Sequence, residues 1–188
     1  MKEIRPALLF LLLFTVLCGG IYPAVVTGIA QAVFPRQARG SLIEERGGRT
    51  LGSSLIGQPF SSPRYFWPRP SASTDFAYNP GGSGGSNSGP TNPEYLKSVA
   101  DRVKALREAG ISGSLPAELV QASASGLDPE ISPEGALLQI PRISKATGRQ
   151  EEMLRRLVAA HTKGRQLGFL GEPRVNVLEL NLELDAAR

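Results

Sequence analysis

Cysteine and histidine are almost missing from this chain of 188 residues, which has one of each, Cys18 and His161. A single cysteine excludes a disulfide within the chain and any metal site built on thiolates. A single histidine removes most of the usual zinc or copper ligands, although carboxylate sites for magnesium or calcium stay open. Concentrated positive charge is also lacking. The net charge is +4, yet Arg36, Arg39, Arg46, Arg49, Arg64 and Arg69 are scattered. A nucleic-acid footprint needs a clustered basic stripe, so no nucleic-acid partner is expected. With 41% hydrophobic and 20% charged residues, the composition is that of a folded chain rather than a disordered one.

What is present begins with a long uncharged run. No Asp, Glu, Lys or Arg occurs from Pro6 to Pro35, and about 20 apolar residues suffice to cross a bilayer. The strongest part is ALLFLLLFTVLC, Ala7 to Cys18, and the run resumes after Pro23 as AVVTGIAQAVF. A cleaved signal peptide is the competing reading, but the small-residue site after Cys18 is poor and the uncharged sequence continues well past it. We expect a retained anchor over 1–36, spanning about 7–33. Pro23 would break a helix in water but is tolerated in a bilayer. Gly19, Gly20 and Gly28 leave room for close helix approach. Lys2 and Arg5 before the run, and the arginines after it, leave orientation undecided by charge.

Residues 37–188 read as one soluble domain of mixed α+β class, with a small sheet and several helices. GSLIEERGGRTLGSSLIG (40–57) suggests a hairpin with Arg46-Gly47-Gly48 as its turn, and arms 41–44 and 50–56. Asn92-Pro93-Glu94 is a helix start, followed by Leu96, Val99, Val103 and Leu106 at helical spacing and stopped by Gly110. Residues 116–122 suggest a short helix. Ser132-Pro133-Glu134 starts another, which Pro141 should kink or break and Gly148 end. Residues 150–163 suggest a further one, stopped by Gly164. Val175, Val177, Leu178, Leu180, Leu182 and Leu184 read as a closing strand with one phase shift. The strands at the two ends of the domain are expected to pair in one sheet.

Chemistry is sparse. Gly81-Gly82-Ser83-Gly84-Gly85 matches G-x-S-x-G, and Ser83, Asp128 and His161 fall in the order of a hydrolase triad, so a membrane-anchored serine hydrolase is the alternative reading. Its context argues against it. A nucleophile elbow needs a strand before the serine and a helix directly after, whereas Asn79-Pro80 precedes this one and NSGP follows. A phosphate loop would need a lysine after its glycines, and no Lys or Arg occurs between Arg69 and Lys97. Six of the 12 aromatics lie between Phe60 and Tyr78. With the prolines and asparagines that follow, they point to an ordered loop rather than a flexible linker.

The chain resembles the C-subunit family of the bacterial potassium-transporting P-type ATPase, the Kdp complex. The resemblance rests on GIYP (20–23), GQPFSSPRYFWPRPSA (57–72), SGGSNSGPTNP (83–93), ASASGLDPEISPEGALLQIPRIS (122–144) and FLGEPRVNVLELNLEL (169–184), in that order. It implies a non-catalytic accessory subunit of an ATP-driven potassium importer in the cytoplasmic membrane, with its N-terminus inside and its domain outside. The implied partners are a channel-like potassium-binding subunit, the P-type ATPase subunit that hydrolyses ATP, a small membrane peptide and membrane lipid. The chain has no DKTGT-type phosphorylation segment and no potassium-channel filter of its own. The resemblance further implies a catalytic chaperone that raises ATP affinity, with Gln139 the ATP-related residue and no cofactor bound stably. We expect the span to meet partner helices through Gly19, Gly20, Pro23 and Gly28. The domain is expected to dock through Tyr65, Phe66, Trp67, Gly84, Gly85 and Asn87.

Overall fold

The uncharged run forms one apolar helical stretch, Ile4–Val33, long and apolar enough to cross a membrane, with its most apolar portion unburied. The computed structural model describes residues 3–45 and 47–186 and divides them into two units, one up to Ser53 and one from Ser54 onward. The apolar stretch comprises helix α1 (Ile4–Val16), a π-helical turn (Leu17–Ile21) and helix α2 (Tyr22–Val33). Pro23 accounts for the turn. Its missing N–H cannot serve the carbonyl four residues back, and its ring crowds that carbonyl. The chain widens ahead of it instead, with the Tyr22 N–H reaching Leu17 O five residues back. The helix therefore continues where a break was expected in water. At 1.5 Å per residue it is about 45 Å long, more than the ~30 Å hydrocarbon core. A short helix, α3 (Pro35–Ala38), follows, then the antiparallel strands β1 (Leu42–Glu44) and β2 (Thr50–Ser53). The hairpin forms as expected but with shorter arms, 42–44 against the expected 41–44 and 50–53 against 50–56. Of the expected turn, Arg46 lies outside the described residues.

In the second unit, α4 (Pro93–Glu108) starts as its sequence dictates. Asn92 Oδ1 accepts the N–H groups of Glu94 at 2.9 Å and Tyr95 at 3.2 Å. Val99, Val103 and Leu106 pack inward, while Leu96, expected on the same face, is exposed. A 3-10 turn (Ala117–Leu119) stands where a short helix was expected. Pro141 breaks the next helix in two, giving α5 (Pro133–Leu137) and α6 (Ile140–Thr147), with Gln139 at the joint. Gly148 ends α6 at φ 73°, in the left-handed region that favours glycine. Then come α7 (Glu151–His161), β4 (Thr162–Lys163), β5 (Arg174–Asn176) and α8 (Val177–Ala186). Strand β3 (Glu130–Ile131) pairs antiparallel with β5, which also pairs with β4, so β5 is central.

Two expectations fail here. The strands do not form one sheet: β1 and β2 make a two-stranded sheet, and β3, β5 and β4 a three-stranded one. The closing segment is a strand only over Arg174–Asn176, and the leucine-rich part is helix α8. Asn176 makes the switch, because its Oδ1 caps the Glu179 N–H at 3.0 Å. Val177, Leu180, Asn181 and Leu184 then share a buried stripe at helical spacing, and Leu178 is buried as well. The alternation of leucines matched period two, but the buried asparagine between them shows period 3.6. The core joins Phe66, Leu106, Ile111, Ile131, Ile140, Ile143, Leu154, Val175, Leu180 and their neighbours. Helix α7 packs on α5, α6, α8 and β5.

Candidate functional site

The most concentrated polar chemistry lies inside the second unit, around residues 62–67. These residues belong to no strand, so their main-chain groups need other partners once buried. Two amide side chains supply them. From α8, Asn181 Oδ1 accepts the Phe66 N–H at 2.9 Å and Asn181 Nδ2 donates to Phe66 O at 2.9 Å. From the α5–α6 joint, Gln139 Oε1 accepts the Trp67 N–H at 2.7 Å and Gln139 Nε2 donates to Trp67 O at 3.0 Å. Each amide thus does for one residue what a neighbouring strand would do. Gln139 is 0% exposed, and its amide is otherwise engaged by Gly135 O at 3.2 Å and Arg142 at 2.7 Å.

Arg142, on the first turns of α6, closes the clamp. Its guanidinium donates to Pro63 O at 2.6 Å and Tyr65 O at 2.9 Å, and lies 4.0 Å from the centroid of the Trp67 ring. That geometry combines charge-assisted hydrogen bonds with a cation–π contact. Among the described residues no carboxylate pairs with it, and its Nε has no partner. Burial pushes the guanidinium down to about 10, so it stays charged at neutral pH. Trp67 Nε1 donates to Ser62 O at 2.9 Å, and Tyr65 OH donates to Asp185 at 2.7 Å.

The expected docking residues fall in different places. Phe66 is fully buried in the core, and Tyr65 and Trp67 pack against it. Gly84 donates its N–H to Ser125 O at 2.9 Å, Gly85 lies against Ala124, and Asn87 is exposed at φ 50°. The glycine-rich segment is therefore an ordered loop laid on residues 123–127. Gly126 shows how tight the contact is: at φ 69°, an added Cβ would meet Gly84 O at 2.7 Å. Gly57 is equally constrained, since an added Cβ would sit 2.4 Å from the Tyr78 ring. Burial, reinforced by the charge of Asp128, raises the Tyr78 phenol well above its ordinary value, while Arg69 opposes the shift. Gly19, Gly20, Pro23 and Gly28 all lie exposed along the apolar helix.

The triad does not assemble. Ser83 Oγ donates to Ser125 O at 3.0 Å, Asp128 pairs with Arg69 at 2.8 Å, and His161 Nδ1 meets Leu157 O at 3.1 Å at the end of α7. No hydrogen bond among the described residues joins any two of the three. Nor does any group of three or more His, Cys, Asp or Glu converge among the described residues. An open, mostly apolar groove of about 320 Å³ runs between Phe60, Trp67, Pro70, Tyr78 and Leu106. Its two arginines are engaged, Arg69 by Asp128 and Arg102 by Val120 O at 3.0 Å. The groove suits an apolar side chain better than an acid–base reaction.

Sequence reasoning missed Arg142, Asn181 and Asn176. Asn176 carried a readable signal, since Asn-Val-Leu-Glu is a capping-box spacing. Asn181 carried one too, as a polar residue within an apolar run.

The chain matches the family model described as K+-transporting ATPase, c chain (KdpC), over residues 4–186. A potassium-transporting ATPase KdpC subunit of Geobacter sulfurreducens is 71% identical over 185 residues, covering 98% of each chain. Proteins of the same name are 57% identical in Burkholderia vietnamiensis, over 98% of this chain and 96% of that one, and 54% identical in Methylococcus capsulatus, over 100% and 99%. Matched over nearly its whole length by the family model and by these relatives, the chain belongs to the KdpC family.

Proposed function

We propose that this chain is a single-pass accessory subunit of an ATP-driven potassium importer, anchored in the cytoplasmic membrane with its folded domain outside. The observation that carries this reading is the apolar helix, which is unburied and attached to a domain that closes its own core. Lipid and partner helices are what such a surface fits. The partners are a channel-like potassium-binding subunit, the ATP-hydrolysing P-type subunit and a small membrane peptide. Gly19, Gly20 and Gly28 leave room for close helix approach, with Pro23 just after the π turn.

The chaperone role belongs to the same reading. A domain outside the membrane cannot touch cytoplasmic ATP, so a higher ATP affinity in the complex must be transmitted through the span or through another subunit. Gln139, engaged by Trp67, Gly135 and Arg142, contributes by holding the aromatic segment in place. A compartment-sensitive reporter at the C-terminus tests the topology: activity only outside the cytoplasm is expected, and a cytoplasmic signal would overturn it. ATP titrations of the complex with and without this chain test the second part, which fails if the KM for ATP is unchanged. Hydrolase activity in the purified chain would sink the accessory reading.

A further inference from the structure

The apolar helical stretch ends at Val33 and the chain turns polar at once. At about 45 Å the stretch matches a bilayer with both headgroup layers, about 40–45 Å, so the residues just after Val33 emerge among lipid headgroups. Two arginines stand there, Arg36 and Arg39, both exposed. No Asp or Glu occurs from Ile4 to Ile43, so no acid close in sequence offsets them. At the other end of the stretch, Arg5 has Glu3 beside it in sequence. Among the described residues of this unit, the ion pair is Arg49 with Glu45, 3.1 Å apart, and it involves neither Arg36 nor Arg39.

The turn that carries the two arginines is ordered. The Ala38 N–H donates to Phe34 O at 2.9 Å, the Gly40 N–H to Gln37 O at 2.9 Å and the Ser41 N–H to Arg36 O at 3.0 Å. Gly40, at φ 85°, supplies the left-handed residue that closes α3. Three positions apart, Arg36 and Arg39 lie on one side of this turn. Arg39 Nε donates to Pro35 O at 3.1 Å, which holds the guanidinium against α3 and leaves its terminal nitrogens for another acceptor. Next to them Val33 is 60% exposed and Phe34 55%, an apolar and an aromatic side chain at the depth where aromatic belts sit.

We propose that Arg36 and Arg39 form a binding site for the phosphate of an anionic phospholipid headgroup at the membrane surface where the helix ends. The inference rests on the membrane-anchor reading and supplies the lipid class that it left open. A guanidinium fork matches phosphate oxygens in pairs. A zwitterionic headgroup brings its own cation, whereas an anionic one offers uncompensated charge to both arginines. An acidic protein surface would offer charge as well, but continuity with the helix favours lipid. The site begins three residues past Val33 and is flanked by Phe34, so a protein partner would have to reach into the headgroup layer.

The full chain tests this when reconstituted in nanodiscs of equimolar phosphatidylcholine and phosphatidylglycerol, then released for native mass spectrometry. Phosphatidylglycerol should be retained over phosphatidylcholine by about tenfold or more, at about fivefold for each arginine. A combined Arg36→Gln, Arg39→Gln variant should lose about tenfold of that preference, and Arg36→Lys, Arg39→Lys should keep most of it. Arg49→Gln is the control and should leave the preference unchanged. Neither Arg36 nor Arg39 is buried, so circular dichroism should be unchanged throughout. Equal retention of the two lipids by the unaltered chain, or an undiminished preference in the double glutamine variant, would overturn the site while leaving the anchor intact. Loss of co-expressed ATPase partners from that variant, with its lipid preference undiminished, would overturn it in favour of an acidic protein surface. Failure of the unaltered chain to enter the nanodiscs would remove both the anchor and the site.

Discussion

At the scale of residues, the domain depends on a few buried side chains whose polar atoms are nearly all used. Replacing Gln139 by Ala orphans the Trp67 N–H and carbonyl and loosens Arg142. At about 1–3 kcal/mol for each unsatisfied buried group, the domain should lose about 2–5 kcal/mol. Urea unfolding followed by circular dichroism measures this, and an unchanged midpoint would show that Gln139 holds nothing. Tyr78 gives a pH signature. Its phenol keeps its proton above the ordinary value of 10.0, whereas the unfolded chain releases it near there. The stability Tyr78 contributes is therefore whole below pH 10 and is lost as the pH climbs past it. Arg142, lowered to about 10, acts in the opposite sense, so comparison with Tyr78→Phe isolates the tyrosine. In an alkaline absorbance titration, the late-ionising fraction should vanish in that variant. None of these contacts was legible in the sequence. Gln139 and Asn181 meet their partners 72 and 115 residues away, and no local pattern encodes such a distance.

At the scale of elements, legibility followed capping chemistry. Asn92-Pro93-Glu94 and Ser132-Pro133-Glu134 start helices where they were expected, because side-chain oxygens meet orphan amides within three residues. Pro141 ended a helix for an equally local reason. The C-terminal segment misled because leucines at 178, 180, 182 and 184 satisfy a strand pattern, while the deciding group is the single Asn176 cap. Asn176→Ala should cost about 1–3 kcal/mol, combining the lost cap with the lost bond from Asn176 Nδ2 to Ser54 O. Leu180→Ala, in the core, should cost about 2–5 kcal/mol. Thermal unfolding ranks the two, and a larger loss from Leu182→Ala, which is only half-buried, would restore a strand-like face.

At the scale of the whole molecule, the two units have separate demands: the apolar helix needs lipid or partner helices, whereas the second unit closes a core of its own. Residues 54–188 alone should therefore give one cooperative unfolding transition with native-like helix content. A molten profile in near-ultraviolet circular dichroism would contradict that. The long apolar helix and the mixed fold class were legible because a long uncharged run and punctuated helices are local patterns. The sheet partnership was not, since strands of two or three residues carry almost no sequence signal. The paired amides add a constraint of timing. Phe66 cannot be locked until Asn181 exists, and Asn181 is made 115 residues later, close to the end of the chain. At about 5–20 residues per second, the ribosome takes about 6–23 s to cover that interval. During that time the aromatic stretch is unclamped while the apolar helix has already been made. The order of synthesis thus places the apolar helix before the Asn181 clamp, so the aromatic stretch stays pliable well after that helix is complete.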